Sequence, residues 1–419
     1  MRSLGNSTRV TFIPRLLSAT VVLLLVGGFS GAVALSAAGA EASASAGFHP
    51  DLAVGAIHPM TSPKCSGSGL CPTQVQSAYS FASLLKNSTM NGTGQSIVIV
   101  DACGDSAIAS DVATFDSINK LPAINLTVYQ PQGKPCSNPT GWGLETALDV
   151  EWSHAMAPGA AIHLVEARTA SNANLFSAWN YSLKNHLGSV ISNSWGGAGA
   201  CASQPAYLVA QAAKAGVTIL ASAGDSAAWG SGLRQAAQEP ADCAAVLTVG
   251  GTTLSITSNG SYSSESAWSS GGGGYVPKTT EPGYQATAKI TDPYSELGKP
   301  DVAAVADPAT GVWIYEKSSG GWFVIGGTSV ACPIWAAFLA DVNSWRAANS
   351  YSGVGSLDPF LYTSVYGVGG GSSNYTAAVH DVTTGSNGWS AGTGWDAASG
   401  LGSFIAYPLA NQLANNAAA

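Results

Sequence analysis

The sequence predicts an α/β fold: a doubly wound, mostly parallel sheet with helices on both faces. Three observations carry this. Short unbroken apolar runs of strand length recur along the chain, helical stretches separate them, and no internal repeat competes. Strands covered on both faces read as continuous apolar runs, and joining parallel neighbours takes a crossover that is usually a helix.

Residues 1–40 read as a signal peptide. Arg2, Arg9 and Arg15 precede or open an apolar stretch over 16–35, and Ala38-Gly39-Ala40 is an A-x-A cleavage site. The stretch is also long enough to span a bilayer as an uncleaved anchor. Its glycines, its serine and the A-x-A site favour cleavage. No second span follows, so the expectation is a secreted, extracellular protein with no membrane attachment after cleavage. Residues 41–71 are small, polar and proline-dotted, which predicts a linker or short pro-segment. Residues 72–419 then form one domain. Its strands are expected at 96–100, 161–165, 189–192, 217–221 and 245–249, with helices at 146–156 and 206–215 among others. Ligands of such sheets bind beyond the carboxyl ends of the strands.

Composition narrows the function. Hydrophobic residues make up 46% of the chain and charged residues only 10%, so the 50 glycines and the Ser, Thr and Asn must supply much of the polar surface. A surface with few carboxylate pairs gives acid little to disrupt; ordinary secreted-protein composition reads the same way. The net charge of −8, with no basic cluster, argues against nucleic acid as a partner. A monomer is expected. The seven cysteines suit an oxidising compartment. Cys65 with Cys71, Cys103 with Cys136, and Cys201 with Cys243 are the expected bridges, although spacing alone does not dictate connectivity. Cys332 is left as a buried free thiol.

Three motifs carry chemistry. In Gly326-Gly327-Thr328-Ser329, a serine after a glycine turn opens an apolar helix, which suits a nucleophile beside helix N–H donors. The bland alternative is a helix N-cap. Glu145 and Asp149 stand four apart on a predicted helix, so their carboxyls share one face. Crowding of that kind raises one pKa and keeps the other low, which makes an acid–base pair. The alternative is a solvated acidic face, against apolar neighbours Leu144, Leu148, Val150 and Trp152. Asp225 follows an apolar strand in Ser222-Ala223-Gly224-Asp225. Protonated, it could donate to an oxyanion, a role confined to acid. Otherwise it caps the next helix.

Taken together, these motifs make the chain resemble the sedolisins, the serine-carboxyl peptidases built on a subtilisin-like fold. The resemblance spans about residues 72 to 410 and includes E-x-x-x-D at Glu145 and Asp149, S-A-G-D ending at Asp225 and G-T-S-x-x-x-P around Ser329. It also takes in Trp268-Ser269-Ser270-Gly271-Gly272-Gly273, Pro300-Asp301-Val302-Ala303 and Asp307-Pro308-Ala309-Thr310-Gly311. It implies a secreted, acid-acting endopeptidase of protein or peptide substrates. Ser329 would be the nucleophile, Glu145 its base, Asp149 the base's partner and Asp225 the oxyanion donor. Substrate backbone would pair with Ser194-Trp195-Gly196 and Ser270-Gly271-Gly272. One structural Ca²⁺ is implied near the C-terminus, with Asp381 and Asp396 as side-chain ligands and Val382, Gly392 and Gly394 giving carbonyls. Such an oxygen cage suits a hard cation. One departure stands out. Sedolisins usually carry a large N-terminal pro-region, whereas only about 30 residues separate the signal from the matched region here.

Two other readings compete. A subtilisin-type triad of Asp101, His154 and Ser329 has the right chain order. However, His154 lies nine residues after Glu145, about 180° round the helix. A non-catalytic secreted binding protein could also keep the fold.

Overall fold

Each of the five apolar runs forms a strand, and all five lie in one eight-stranded sheet. The computed structural model describes residues 47–414 apart from 58–62, 64, 66–68, 138–140 and 234. The signal peptide expected over 1–40 lies outside the described residues. In spatial order the sheet runs Tyr262–Ala267, Leu247–Ile256, Thr218–Ser222, Val190–Asn193, Ser96–Ala102, Ala161–Ala167 and Asn125–Tyr129. Val302–Val305 also pairs with Leu247–Ile256 in parallel. Only Tyr262–Ala267 is antiparallel to its neighbour. Asn125–Tyr129 escaped the sequence reading because it is an edge strand, half exposed, without an apolar run.

The central strand shows why the sheet must be covered twice. Ile97 and Ile99 pack into a core with Leu148, Trp152 and Ile334, whereas Val98 and Val100 pack into a second core with Phe176, Trp179 and Leu208. Alternate side chains of a strand point to opposite faces, and each face here meets helices. On the first face lie Trp142–Met156 and Thr328–Ala348. The second is covered by Asn172–Lys184 and Ser203–Lys214. Trp142–Met156 is buried nearly all round. A helix apolar on all sides belongs in a core, so any acid it carries is forced out of water.

The strand order reverses around Ser96–Ala102: later strands add on one side, Ala161–Ala167 and Asn125–Tyr129 on the other. The carboxyl ends of Ser96–Ala102, Val190–Asn193 and Thr218–Ser222 therefore converge on one crevice. Disulfides join Cys65–Cys71, Cys103–Cys136 and Cys201–Cys243. Cys332 is free and buried, and burial pushes its thiol up to about 12. Among the described residues no helix is long and apolar enough to cross a membrane.

Within the stretch expected as linker or pro-segment, residues 49–57 pair with strands of this body. His49–Pro50 pairs antiparallel with Trp195–Ala198, and Ala53–Ile57 pairs antiparallel with Gly321–Gly326. Small polar composition describes the segment's own side chains. It says nothing of the open strand edges that await its backbone.

Candidate active site

Ser329 sits in the first turn of the 21-residue helix Thr328–Ala348, fully buried. The strand Gly321–Gly326 delivers the chain to Gly327, whose φ of +108° is open to glycine and strained for other residues. A Cβ there would also lie 2.3 Å from the Asp51 carbonyl oxygen and 2.6 Å from Asp225 Oδ2. The turn thus aims the first N–H groups and the positive end of the helix at Asp51 and Asp225, which accept from Ser329 and Thr328.

Glu145 and Asp149 lie in Trp142–Met156, both completely buried, so the solvated-face alternative falls. Asp149 Oδ1 accepts from the Ser194 hydroxyl at 2.7 Å. Neither Glu145 oxygen has a partner at hydrogen-bond distance. The Ser329 hydroxyl is nonetheless the neighbour that favours Glu145's charged form, while Ser329 Oγ itself donates to the Ser194 carbonyl at 3.2 Å. The serine–glutamate contact is therefore loose, with Ser329 Oγ turned to the Ser194 carbonyl. Burial first, then the charges of Asp149 and Asp101, push Glu145 well above the usual carboxylate range. Burial and Asp101 do the same to Asp149.

Asp101 ends the strand Ser96–Ala102 and joins this cluster. Burial lifts it to about 7, against the Thr146 hydroxyl and with the help of Glu166. The sequence offered Asp101 only as a partner for His154. His154 faces elsewhere: its Nε2 lies 2.9 Å from the Pro122 carbonyl and 3.5 Å from Asp116, and burial lowers its pKa. Among the described residues the structure brings no His-based triad together around Ser329.

Asp225 follows Thr218–Ser222 and is anchored at one oxygen. Its Oδ1 accepts from the Thr328 N–H at 2.8 Å and the Thr328 hydroxyl at 3.0 Å. Its Oδ2 is buried and without a partner. Burial, then the nearby Asp51 carboxyl, raise its pKa well above normal. A neutral Asp225 can donate from Oδ2 toward the Gly327 face, where the Asp51 carbonyl lies. The segment Ser270-Gly271-Gly272, expected to pair with substrate, lies against this loop. Ala227 N–H donates to Ser270 and Gly272 N–H to Gly224, at 2.8 and 2.6 Å.

The cleft itself holds a peptide, which is the chain's own. Phe48 N–H donates to the Ala170 carbonyl at 2.8 Å, and Asp51 N–H donates to the Ser194 carbonyl at 3.1 Å. His49 and Pro50 pair in register with Gly196 and Trp195. Ser329 N–H donates to the Asp51 carbonyl at 3.1 Å. Ser194-Trp195-Gly196, expected to pair with substrate, here pairs with the chain's own extended segment. Ala170 on the opposite wall carried no signal, because its part is a backbone carbonyl that any residue could supply.

The expected cation ligands Asp381 and Asp396 both hydrogen-bond to backbone of the C-terminal loops. Asp381 accepts from Gly394 N–H at 3.0 and 3.1 Å, and Asp396 from Gly392, Ala398 and Ser399 N–H groups at 2.9 to 3.0 Å. Both carboxyls thus grip the turn 392–396. Among the described residues no backbone N–H donates to the carbonyls of Val382, Gly392 or Gly394. Two carboxyls and three such carbonyls fit a hard divalent cation. A second acidic group, Asp105, Asp111 and Glu316, has oxygens within 4.8 Å of one another. Their spacing of over 200 residues hid them from sequence reading.

Comparison with known proteins agrees with this geometry. The model of the subtilase family matches residues 130–376. Kumamolisin of Bacillus sp. (strain MN-32) is 33% identical over 376 residues, covering 82% of this chain and 63% of the relative. Sedolisin of Pseudomonas sp. (strain 101) is 29% identical, covering 84% and 62%. The chain thus spans under two thirds of the length of these relatives. The solved structure of Pseudomonas sedolisin, a serine-carboxyl proteinase complexed with two molecules of pseudo-iodotyrostatin, superposes with a TM-score of 0.71 at 27% identity, covering 84% of this chain and 99% of that one. The match over more than half the sequence and the shared fold give one conclusion: the chain belongs to the subtilase family, in its sedolisin branch of serine-type peptidases.

Proposed function

We propose that this protein is a secreted, acid-acting endopeptidase that hydrolyses peptide bonds through Ser329, Glu145, Asp149 and Asp225. The observation that carries the reading is the peptide in the cleft. An extended backbone lies with one carbonyl on the Ser329 N–H and the adjoining N–H on Ser194, both at 3.1 Å. In the reaction Ser329 Oγ attacks such a carbonyl carbon while Glu145 takes its proton. Asp149, held by Ser194, shares the charge of the pair. Protonated Asp225 and the Ser329 N–H donate to the oxyanion, helped by the positive end of the helix. Glu145 then protonates the leaving amine, and water completes hydrolysis of the ester. The test is hydrolysis of denatured protein at about pH 3 to 5, with Ser329→Ala as control. Hydrolysis absent from the wild type, or equal in the control, would sink the reading.

We also propose one calcium in the C-terminal loops, held by Asp381, Asp396 and the carbonyls of Val382, Gly392 and Gly394. It would brace the turn and take no part in the chemistry. Elemental analysis of the purified protein checks its presence. The protein is read as a monomer acting on protein or peptide substrates, without nucleic acid.

A further inference from the structure

The side chain of Asp51 enters a pocket built around it. It is 1% exposed. Its Oδ2 accepts from the Ser222 hydroxyl at 2.7 Å and, closer still, from the Gln238 amide. The Gln238 side chain reaches that point between two glycines. A Cβ on Gly196 would stand 2.4 Å from Gln238 Nε2, and one on Gly224 would stand 2.2 Å from Gln238 Oε1. Any larger residue at either wall would push the amide out, so the wall is shaped for the donor.

Both donors meet the same oxygen. Asp51 Oδ1 has no hydrogen-bond partner, and the exposed His49 ring nitrogen lies 3.6 Å away. A pocket made for a carboxylate anion would place a fixed cation or donors on both oxygens. This one serves a group with one acceptor oxygen and one position that can hold O–H or NH₂: a protonated carboxyl or a carboxamide. Burial raises Asp51 to about 6, so it is largely neutral in acid.

From this geometry we propose that Ser222 and Gln238 determine specificity, making the enzyme cleave after aspartyl and asparaginyl residues, with Asp51–Leu52 as its own first substrate bond. The proposal rests on Ser329 as nucleophile. An aromatic residue three places earlier adds a second anchor. Phe48 stacks on Trp195 with ring centroids 5.2 Å apart and meets Phe176 edge-on at 5.6 Å. In the self-reaction Ser329 Oγ bonds to the Asp51 carbonyl carbon and the C–N bond to Leu52 breaks. The serine proton passes by way of Glu145 to the Leu52 amine, and water then releases Asp51 as a free acid. A leucine in the pocket would leave the Gln238 amide without its Asp51 partner and Ser222 with only the Asn193 carbonyl, 3.4 Å away, and sites built to hydrogen-bond a side chain reject analogues lacking it.

The test uses the full chain at about pH 4, inside the acid window proposed for it. Peptides of the form Phe-His-Pro-X-Leu, with X as Asp, Asn, Leu or Lys, are compared by kcat/KM. The Asp and Asn peptides should exceed the Leu and Lys peptides by at least about 100-fold. N-terminal sequencing after acid incubation should find a new terminus at Leu52 in the wild type and not in Ser329→Ala. Gln238→Leu, checked for folding by its melting curve, should move the preference toward Leu, and Ser222→Ala should narrow the Asp advantage. Equal or better cleavage of the Leu peptide overturns the specificity while leaving the peptidase reading intact. No cleavage of any peptide or of denatured protein overturns both.

Discussion

Asp396 of the C-terminal loops and the Glu145–Asp149 pair of the cleft are all buried, and they are held in opposite ways. Asp396 is surrounded by donors from Gly392, Ala398 and Ser399, which oppose burial and leave it at about 6. Glu145 has no hydrogen-bond partner, and Asp149 and Asp225 each keep one oxygen empty. Burial there runs nearly unopposed, and the charges of Asp149 and Asp101 add to it at Glu145. The difference teaches what each region is for. Saturated carboxyls fix a loop. Carboxyls left unsatisfied in a dry site take up protons, and can pass them on.

The sharpest way to break the comparison is to neutralise one acid in each region. Glu145→Gln should cut turnover by on the order of 10⁴-fold or more while the fold persists. Asp381→Asn should leave turnover of the folded enzyme within a few-fold and lower its melting temperature. His154→Ala should likewise cost little activity. Steady-state rates at pH 4 beside thermal melts separate the outcomes; a dead His154→Ala with an active Glu145→Gln would restore the histidine triad.

The pH profile tests the protons themselves. The proposed mechanism requires one negative charge on the Glu145–Asp149 pair and a proton on Asp225. The cluster loses its protons in shared steps, so activity should trace a bell with its maximum at about pH 3 to 5. Asp225→Asn keeps a neutral donor in place; it should lose much activity, and what remains should extend to higher pH. A wild-type optimum above pH 7, on a substrate that does not itself titrate, would falsify the carboxyl mechanism.

Stability should follow the same groups. Asp101 rises to about 7, Asp116 and Asp242 to about 7, and Asp105 to about 6. With raised folded-state pKa values the native protein binds more protons than the unfolded chain. The stabilisation is complete below about pH 4 and fades as pH climbs through 6 and 7. For a fully buried group it amounts to about 1.4 kcal/mol for each tenfold gain in proton affinity on folding. Denaturation midpoints should therefore fall between pH 4 and 7, and Asp101→Asn should flatten the fall. This gives acid tolerance a second cause beyond a scarcity of ion pairs: burial of groups that prefer to be protonated. The smallest effect is expected from metal removal. Excess chelator should lower the melting temperature by several degrees, because a ligand of the native state alone stabilises it. An unchanged melt, with no metal by elemental analysis, would leave the loops to their hydrogen bonds.

Much of this was legible from local patterns. Continuous apolar runs such as 96–100 and 161–165 foretold strands buried on both faces, because burial is a property of the run itself. The four-residue spacing of Glu145 and Asp149 foretold a shared helix face, and Gly326-Gly327-Thr328-Ser329 foretold a serine at a helix start. What the sequence could not tell is which distant groups meet. Asp51 came from a stretch whose composition suits a linker, and its place in the cleft depends on the free edge of Trp195–Ala198, over 140 residues away. Gln238 became a pocket wall only because Gly196 and Gly224 close on it from two separate loops. Ser270-Gly271-Gly272 meets the loop 224–227 through two backbone hydrogen bonds that no sequence pattern announced. Sequence alone determined the strands, the serine turn and the paired acids, since those rest on neighbours three or four residues apart. The tertiary structure decided what enters the cleft and what it touches, because backbone pairing is blind to side-chain identity and is settled only when the folded strands present their edges.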